Sequence, residues 1–468
     1  MMAILAGMAT ALAGIGLTEA LVGSRLVASF ARARPMAAPV ARPPVTLLKP
    51  LHGDEPLLAE ALATLCRQDY PEWQIVFGVQ DAGDSAIAVV RRLQARFPDL
   101  DIDLVIDPML HGRNRKVGNL INMMPAARHD VLVIADADVH VRPDYLTRLV
   151  AALQRPGVGL VTALYAGLPA AATSGSASSS GFFEQEAFWP SARERPGTDD
   201  PIGPSHAAIG LPARLGAMQI THGFLPGAVV ARALGRQDCL GATMCLRRHD
   251  LESIGGFQAL VAHLADDNVL GRRISGLGAS VALADTVALT TVPESSFGAL
   301  FRHELRWART IRALEPAGFA ASVLQYPLAW ALLTILLTGG APWSVGFFMI
   351  AWMLRAVAAL SVDRALAPLW TEASSPGEAT CNDQTAVAFS CPIWLLPFRD
   401  VFSVAVMLAS YGGRKVHWRG HVLHADTPPP STHPPIRDTA AVNVPADRGN
   451  FAPDDENPVP APAFVRRV

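Results

Sequence analysis

An α/β fold with a mostly parallel sheet, flanked by membrane helices at both ends, is predicted by three features of this sequence. Strand-like and helix-like runs alternate between Pro43 and about residue 314. Long apolar blocks poor in charge bracket that region. Two of the strand-like runs end in acidic clusters, at Asp81/Asp84 and at Asp136/Asp138. Alternation of this kind implies βαβ units with right-handed crossovers, whose strand ends share one rim.

Composition supports the membrane part. Half of the 468 residues are hydrophobic and only 17% are charged, against ~25% in an average soluble protein. The mean hydropathy is +0.26. A net charge of −2 gives no sign of a nucleic-acid partner. The five cysteines (Cys66, Cys239, Cys245, Cys381, Cys391) lack zinc or disulfide spacing and read as reduced thiols facing a cytoplasm.

The chain divides as follows. Residues 1–30 form a retained N-terminal helix carrying only Glu19 and Arg25, and Arg32, Arg34 and Arg42 place its C-terminal side in the cytoplasm. Residues 43–314 form the α/β domain. The uncharged run after Glu315 exceeds the ~20 residues of one span. Gly339-Gly340-Ala341-Pro342 splits it into spans at 317–338 and 343–362. A further block at 384–411 is interrupted by Arg399-Asp400, and Arg414, Lys415 and Arg419 follow it. It reads as a spanning or, preferably, a re-entrant segment. The Pro-rich tail, 426–468, reads as disordered.

Within the α/β domain, strands are expected at 45–51, 74–81, 102–107 and 130–138, and helices at 54–69 and 84–97. Pro143 is expected in the first turn of the next helix. The loop 111–120 supplies Arg113, Arg115 and Lys116 as charge and Asn114 and Asn119 as amides, suited to a pyrophosphate beside the acidic rim. "AATSGSASSSG" (171–181) is of low complexity, and "FFEQEAFW" (182–189) fits either a membrane-proximal lip or ordinary packing. Small residues in 238–251 permit close backbone approach. Asp266 and Asp267 open a helix, which serves either as an ordinary acidic first turn or as a seat for a base. His303, Arg306 and Trp307 share one face of the helix 301–314. That face fits an interfacial anchor or the wall of a site.

Taken singly, Asp136-Ala137-Asp138 is a solvated turn or a cation site. Taken in order, the acidic strand tip, the Lys116/Asn119 loop, D-A-D, Asp266-Asp267 and R-W before a membrane block resemble the membrane-bound GT-A glycosyltransferases. "LLKPLHG", "VQDAGDSAIAVVRRL", "NRKVGNLINM" and "HELRWART" narrow this to the ceramide glucosyltransferase-like group, family 21, and within it to the hopanoid-biosynthesis-associated enzymes of bacteria. The resemblance runs from Pro43 to about residue 425.

The resemblance implies a multi-pass protein of the bacterial cytoplasmic membrane with its catalytic domain inside. It implies inverting transfer of glucose or N-acetylglucosamine from a UDP-sugar to a lipid hydroxyl, a hopanoid such as bacteriohopanetetrol before ceramide. The roles it implies are Asp267 as base with Arg306 and Trp307 in the catalytic group, and Asp84, Lys116, Asn119 and Asp136 on the nucleotide-sugar. Asp136 and Asp138 would hold Mg²⁺ or Mn²⁺. His303 stands where relatives commonly have Gln or Arg. A processive polysaccharide synthase shares these motifs but needs more spans after R-W. A non-catalytic sugar-nucleotide-binding protein would be expected to lose Asp267 or D-x-D, and a transporter would not be mostly soluble α/β.

Overall fold

The structure, a computed structural model, describes residues 1–33, 41–53, 55–171, 209–371 and 386–413, with strand backbone at Lys415–Trp418, His421–His424 and Phe464–Val465. The stretches 171–181 and 182–189 lie almost wholly outside the described residues, as do Cys381 and most of the tail.

Four strands make the parallel half of the sheet: β1 (Val45–Pro50), β2 (Trp73–Val79), β3 (Asp101–Ile106) and β4 (Val131–Ala135), in the order 3-2-1-4. β1 and β4 are buried along their whole length, as strands covered on both faces must be. Helices α2 (Leu58–Leu65) and α3 (Ala86–Arg96) cover one face, with Leu62, Val89 and Leu93 in the core. Helix α4 (Arg115–Met123) covers the other through Val117 and Leu120.

The helix starts depart from the sequence expectation. α2 begins at Leu58 rather than residue 54, because Leu57 sits at φ 60, in the left-handed region that cannot continue a helix. The basic loop is shorter than 111–120, because Asn114 caps α4 by accepting the Val117 N–H at 3.1 Å. Pro143 precedes the first turn of α5 (Tyr145–Leu153) instead of lying in it.

The second half of the sheet is mixed. β7 (Thr243–Arg247) runs antiparallel to β4. β6 (Val158–Pro169) and β8 (Ser280–Val292) pair in parallel beyond it, and β5 (Val139–His140) pairs antiparallel with β8. In strand order β4 and β5 are four places apart, about 19 Å in a flat sheet. Only Asp136-Ala137-Asp138 joins them, a span of at most about 14 Å. The second half therefore curls over the tip of β4, with D-A-D at the fold. Phe464–Val465 adds a short antiparallel strand outside β3.

Three helices among the described residues are long and apolar enough to cross a membrane: α1 (Met2–Arg32), the helix Pro342–Thr371, and the segment Ala386–Ser410. The stretch read as one span at 317–338 is built of two helical pieces, Pro316–Gln325 and Pro327–Leu337, bent by 68°. Pro327 cannot continue the ladder, and the Leu328 N–H it frees donates to Asp400 Oδ2 at 3.0 Å. The expected break follows at Gly339 and Gly340, with φ of 63° and 80°. Close packing accounts for Gly16 and Gly23 of α1, where a Cβ at Gly23 would lie 3.0 Å from the Pro226 Cβ. A Cβ at Gly16 would lie 2.1 Å from the Leu324 carbonyl oxygen. Val27 of α1 packs with Leu164, Leu225 and Val287 of the α/β domain, so membrane helices and domain share a core.

Candidate active site

The rim at the end of β4 is held from both sides. Asp138 accepts the Thr290 hydroxyl at 2.5 Å, and the Thr291 N–H donates to the Asp138 carbonyl at 3.1 Å. These contacts follow from the β5–β8 register, Val139 opposite Thr290. Lys116, on the first turn of α4, puts Nζ 2.6 Å from Asp136 Oδ1 and 3.8 Å from Asp266 Oδ2. Asn114 ties the same corner to the helix Asp266–Gly276, its amide donating to the His263 carbonyl at 2.8 Å and Asp266 Oδ1 at 3.1 Å.

The charges in this corner shift one another. Burial disfavours the charged form of Lys116, but the carboxylates of Asp136 and Asp266 outweigh it and hold the ammonium well above its ordinary range. Burial, then the neighbouring Asp136, raises Asp138 above the usual carboxylate range. Lys49 is fully buried beneath the rim, and Nζ reaches the Val139 carbonyl at 3.4 Å. Burial brings its pKa down to about 8, against the pull of Asp138 and Asp136. Asp267, half-buried at the start of the helix Asp266–Gly276, accepts the Asn268 N–H at 2.8 Å. Its pKa is pushed up to about 6, by burial first and by Asp266 second. The backbone at Gly241 passes so close that a Cβ would lie 2.7 Å from Asp267 Oδ2. The small residues of 238–251 thus do permit close approach.

The facing wall comes from the helix Phe297–Leu314, which Ser296 caps by accepting the Ala299 N–H at 3.2 Å. Arg306 and Trp307 both line the cavity. Trp307 packs with Ala217, Ile220 and Val292. The His303 ring stands edge-on to it, with centroids 4.6 Å apart and planes at 72°. His303 Nδ1 pairs with the Glu294 carboxylate. One cavity of about 1180 Å³ is lined by Lys116, Asp136, Asp138 and Asp267 from the rim and by Arg306 and Trp307 from the helix. Val406 and Met407 of the segment Ala386–Ser410 line it too.

The sequence-predicted residues do not all meet there. Lys116, Asn119, Asp136, Asp138, Asp267, Arg306 and Trp307 do. Asp84 does not. Its side chain is buried, both carboxylate oxygens accept the Gly53 N–H at 3.0 Å, and Oδ1 accepts the Ala86 N–H at 2.9 Å. β2 ends at Val79, so Asp84 belongs to the start of α3 and pins the loop after β1, while Asp81 lines the cavity. Asn119 donates to the Gly78 carbonyl at 2.7 Å, bracing β2 from the cavity floor. Thr290, Lys49 and Glu294 escape sequence reasoning. The partners of Thr290 and Lys49 lie 152 and 90 residues away, and Glu294 reaches His303, nine residues on, through a turn that no local pattern marks.

Among the described residues no group of three or more His, Cys, Asp or Glu side chains is placed to hold a metal ion unaided. Asp136 and Asp138 supply two carboxylates, with one oxygen of each engaged by Lys116 and Thr290. Such a pair suits Mg²⁺ or Mn²⁺ taking its remaining ligands from phosphate oxygens and water. The raised pKa of Asp138 is the penalty that a cation there would relieve.

Residues 6–189 and 201–429 match the sequence profile described as glycosyl transferase family 21. The chain belongs to glycosyl transferase family 21. The family resemblance of the motifs is thereby borne out, and the observed sheet, with its parallel half followed by a mixed half, has the α/β character they imply. Among curated relatives, a ceramide glucosyltransferase of Komagataella phaffii is 30% identical over 134 residues, 28% of this chain and 26% of that protein. Ceramide glucosyltransferase 1 of Caenorhabditis elegans is 23% identical over 289 residues, 60% of this chain and 53% of that one. The chain thus spans about half or less of these relatives' lengths. A solved mannosyltransferase of Pyrobaculum calidifontis, in complex with GDP-Man and Mn²⁺, is 19% identical, covers 87% of this chain and 99% of its own, and has a TM-score of 0.44.

Proposed function

We propose that this chain transfers a sugar, with inversion, from UDP-glucose or UDP-N-acetylglucosamine to a hydroxyl of a membrane lipid. The observation that carries the reading is the single cavity in which the acidic rim, Asp267 and the R-W helix meet residues of a segment long and apolar enough to span a membrane. A water-soluble donor and a lipid acceptor can meet only in such a space.

Lys116 and Arg306 supply positive charge where the diphosphate gathers charge as it leaves. Asp136 and Asp138 would hold Mg²⁺ or Mn²⁺, which when bound adds Lewis-acid stabilisation of the same oxygens. Trp307 gives a flat apolar wall. Asp267 takes the proton from the acceptor hydroxyl as its oxygen bonds to the anomeric carbon. The bond from that carbon to the diphosphate breaks on the opposite face, and UDP departs with the electron pair. One base and no covalent intermediate suffice.

Membrane helices flanking the domain and Arg32, Arg34 and Arg42 support a cytoplasmic-membrane protein with its domain inside. A hopanoid polyol is the acceptor that the sequence resemblance favours. Ceramide is the second reading, favoured by the names of the curated relatives. Membranes carrying the protein, given labelled UDP-glucose or UDP-N-acetylglucosamine with ceramide or bacteriohopanetetrol, are expected to yield one labelled glycolipid by mass spectrometry. Label on no lipid would overturn the proposal. Chelation with EDTA is expected to stop transfer and Mg²⁺ or Mn²⁺ to restore it. Asp138→Asn is expected to raise the cation concentration needed by about tenfold or more, and an unchanged requirement would remove Asp138 as a ligand.

A further inference from the structure

The cavity contains a pair that the reaction above does not use. Glu294 is only 8% exposed and its Oε1 pairs with His303 Nδ1, while Oε2 finds no partner among the described residues. A carboxylate so placed fixes the imidazole ring and puts the Nδ1 proton toward itself. The ring is also clamped edge-on by Trp307. With Nδ1 committed, Nε2 is the ring's remaining polar atom, and His303 lines the cavity with a third of its side chain accessible. A buried acid that orients an accessible imidazole is a costly arrangement unless Nε2 meets something.

Its place in the fold says what. Glu294 follows β8 by two residues, and the same strand carries Thr290, which holds Asp138. Four residues of chain set Glu294 no more than about 14 Å from that rim. The next residue, Glu304, is bound to Arg399 of the apolar segment Ala386–Ser410, whose Val406 and Met407 also line the cavity, so His303 stands on the side of the cavity where a lipid would enter. Asp267 already receives the proton of the attacked hydroxyl. With Nδ1 given to Glu294, Nε2 is left to bond a group in the cavity, and a hydroxyl, which both donates and accepts, suits it in either protonation form.

We infer that His303, oriented by Glu294, is an acceptor-specificity site that binds a second hydroxyl of the acceptor lipid, next to the one glycosylated. The inference rests on the proposed lipid-hydroxyl transfer and narrows the acceptor class to lipids bearing neighbouring hydroxyls. His303 touches the acceptor, and Glu294 is a positioning residue for it.

The test uses the full-length chain in phosphatidylcholine vesicles, with 1,2-octadecanediol and 1-octadecanol as a matched acceptor pair. Wild type is expected to use the diol with a KM at least about tenfold lower, the worth of one hydrogen bond. His303→Ala is expected to raise the diol KM about tenfold more than it raises the 1-octadecanol KM or the donor KM. His303→Gln, which keeps a polar group in the space, should fall between, and Glu294→Gln should shift the diol KM in the same direction. A merely structural role would move both acceptors and the donor together, and that result would overturn the inference. So would equal use of the two alcohols by wild type, or use of neither while ceramide or bacteriohopanetetrol is glycosylated. If wild type glycosylates no lipid at all, the proposed function fails and this inference with it.

Discussion

Asp267→Asn abolishes transfer, with an expected loss of about 10³-fold in kcat, while UDP-sugar binding measured by calorimetry is retained. Binding survives because Lys116, Asp136 and Asp138 form their contacts without Asp267. Only the ionised carboxylate can act as base, and in the folded chain its pKa is pushed up to about 6. The wild-type rate should therefore climb with pH through about 6 and level above it, where an ordinary aspartate would give a limb near 4. A group whose pKa is raised by folding favours the folded state at pH below its unfolded value, and that contribution fades as pH rises through the folded pKa. At pH 8 Asp267 is thus ionised at a cost to the fold. Asn there is expected to stabilise the protein by an amount on the order of 1 kcal/mol, read as a higher Tm. Turnover persisting in the variant, or an acid limb near 4, would take Asp267 out of the role.

What could be read from the sequence was what is local. D-A-D, Asp266-Asp267 and R-W are short motifs whose members sit within a turn or a strand end, so their order along the chain already places them. The α/β alternation was legible for the same reason, since buried parallel strands are nearly continuous apolar runs. Relations between distant segments were not. Thr290 meets Asp138 only because β8 carries β5 on its edge, 152 residues away in sequence. Glu294 finds His303 through a turn that no spacing rule describes. Asp84 was expected on the rim because acidic residues follow both strand tips. Its distance past the end of β2 puts it instead just before α3, where it accepts the Ala86 N–H. Helix starts shifted where a single residue's conformation decides, as at Leu57 and Asn114.

The charges at Arg399-Asp400 show the same limit with the largest energetic consequence. In the sequence they interrupt an apolar block. In the structure each satisfies a distant group, Asp400 the Leu328 N–H and Arg399 the carboxylate of Glu304. Arg399 donates to both Glu304 oxygens at 2.8 and 2.6 Å, to Ser403 Oγ at 2.9 Å and to the Leu215 carbonyl at 3.2 Å. Both members of the pair are buried. Glu304 lies between His303 and Arg306, so this bond fixes the R-W helix against the segment Ala386–Ser410. Glu304→Gln removes one charge and leaves the guanidinium buried and uncompensated, an expected destabilisation of about 3–5 kcal/mol. Transfer should fall with it, since the helix that presents Arg306 and Trp307 loses its anchor. The double variant Glu304→Leu/Arg399→Met removes both charges and needs no desolvation, so its stability should return to near that of wild type. Its activity should recover only so far as apolar packing reproduces the helix position. Thermal unfolding in detergent reads the first two effects, and a Glu304→Gln variant as stable as wild type would show that the pair does not hold the wall of the site.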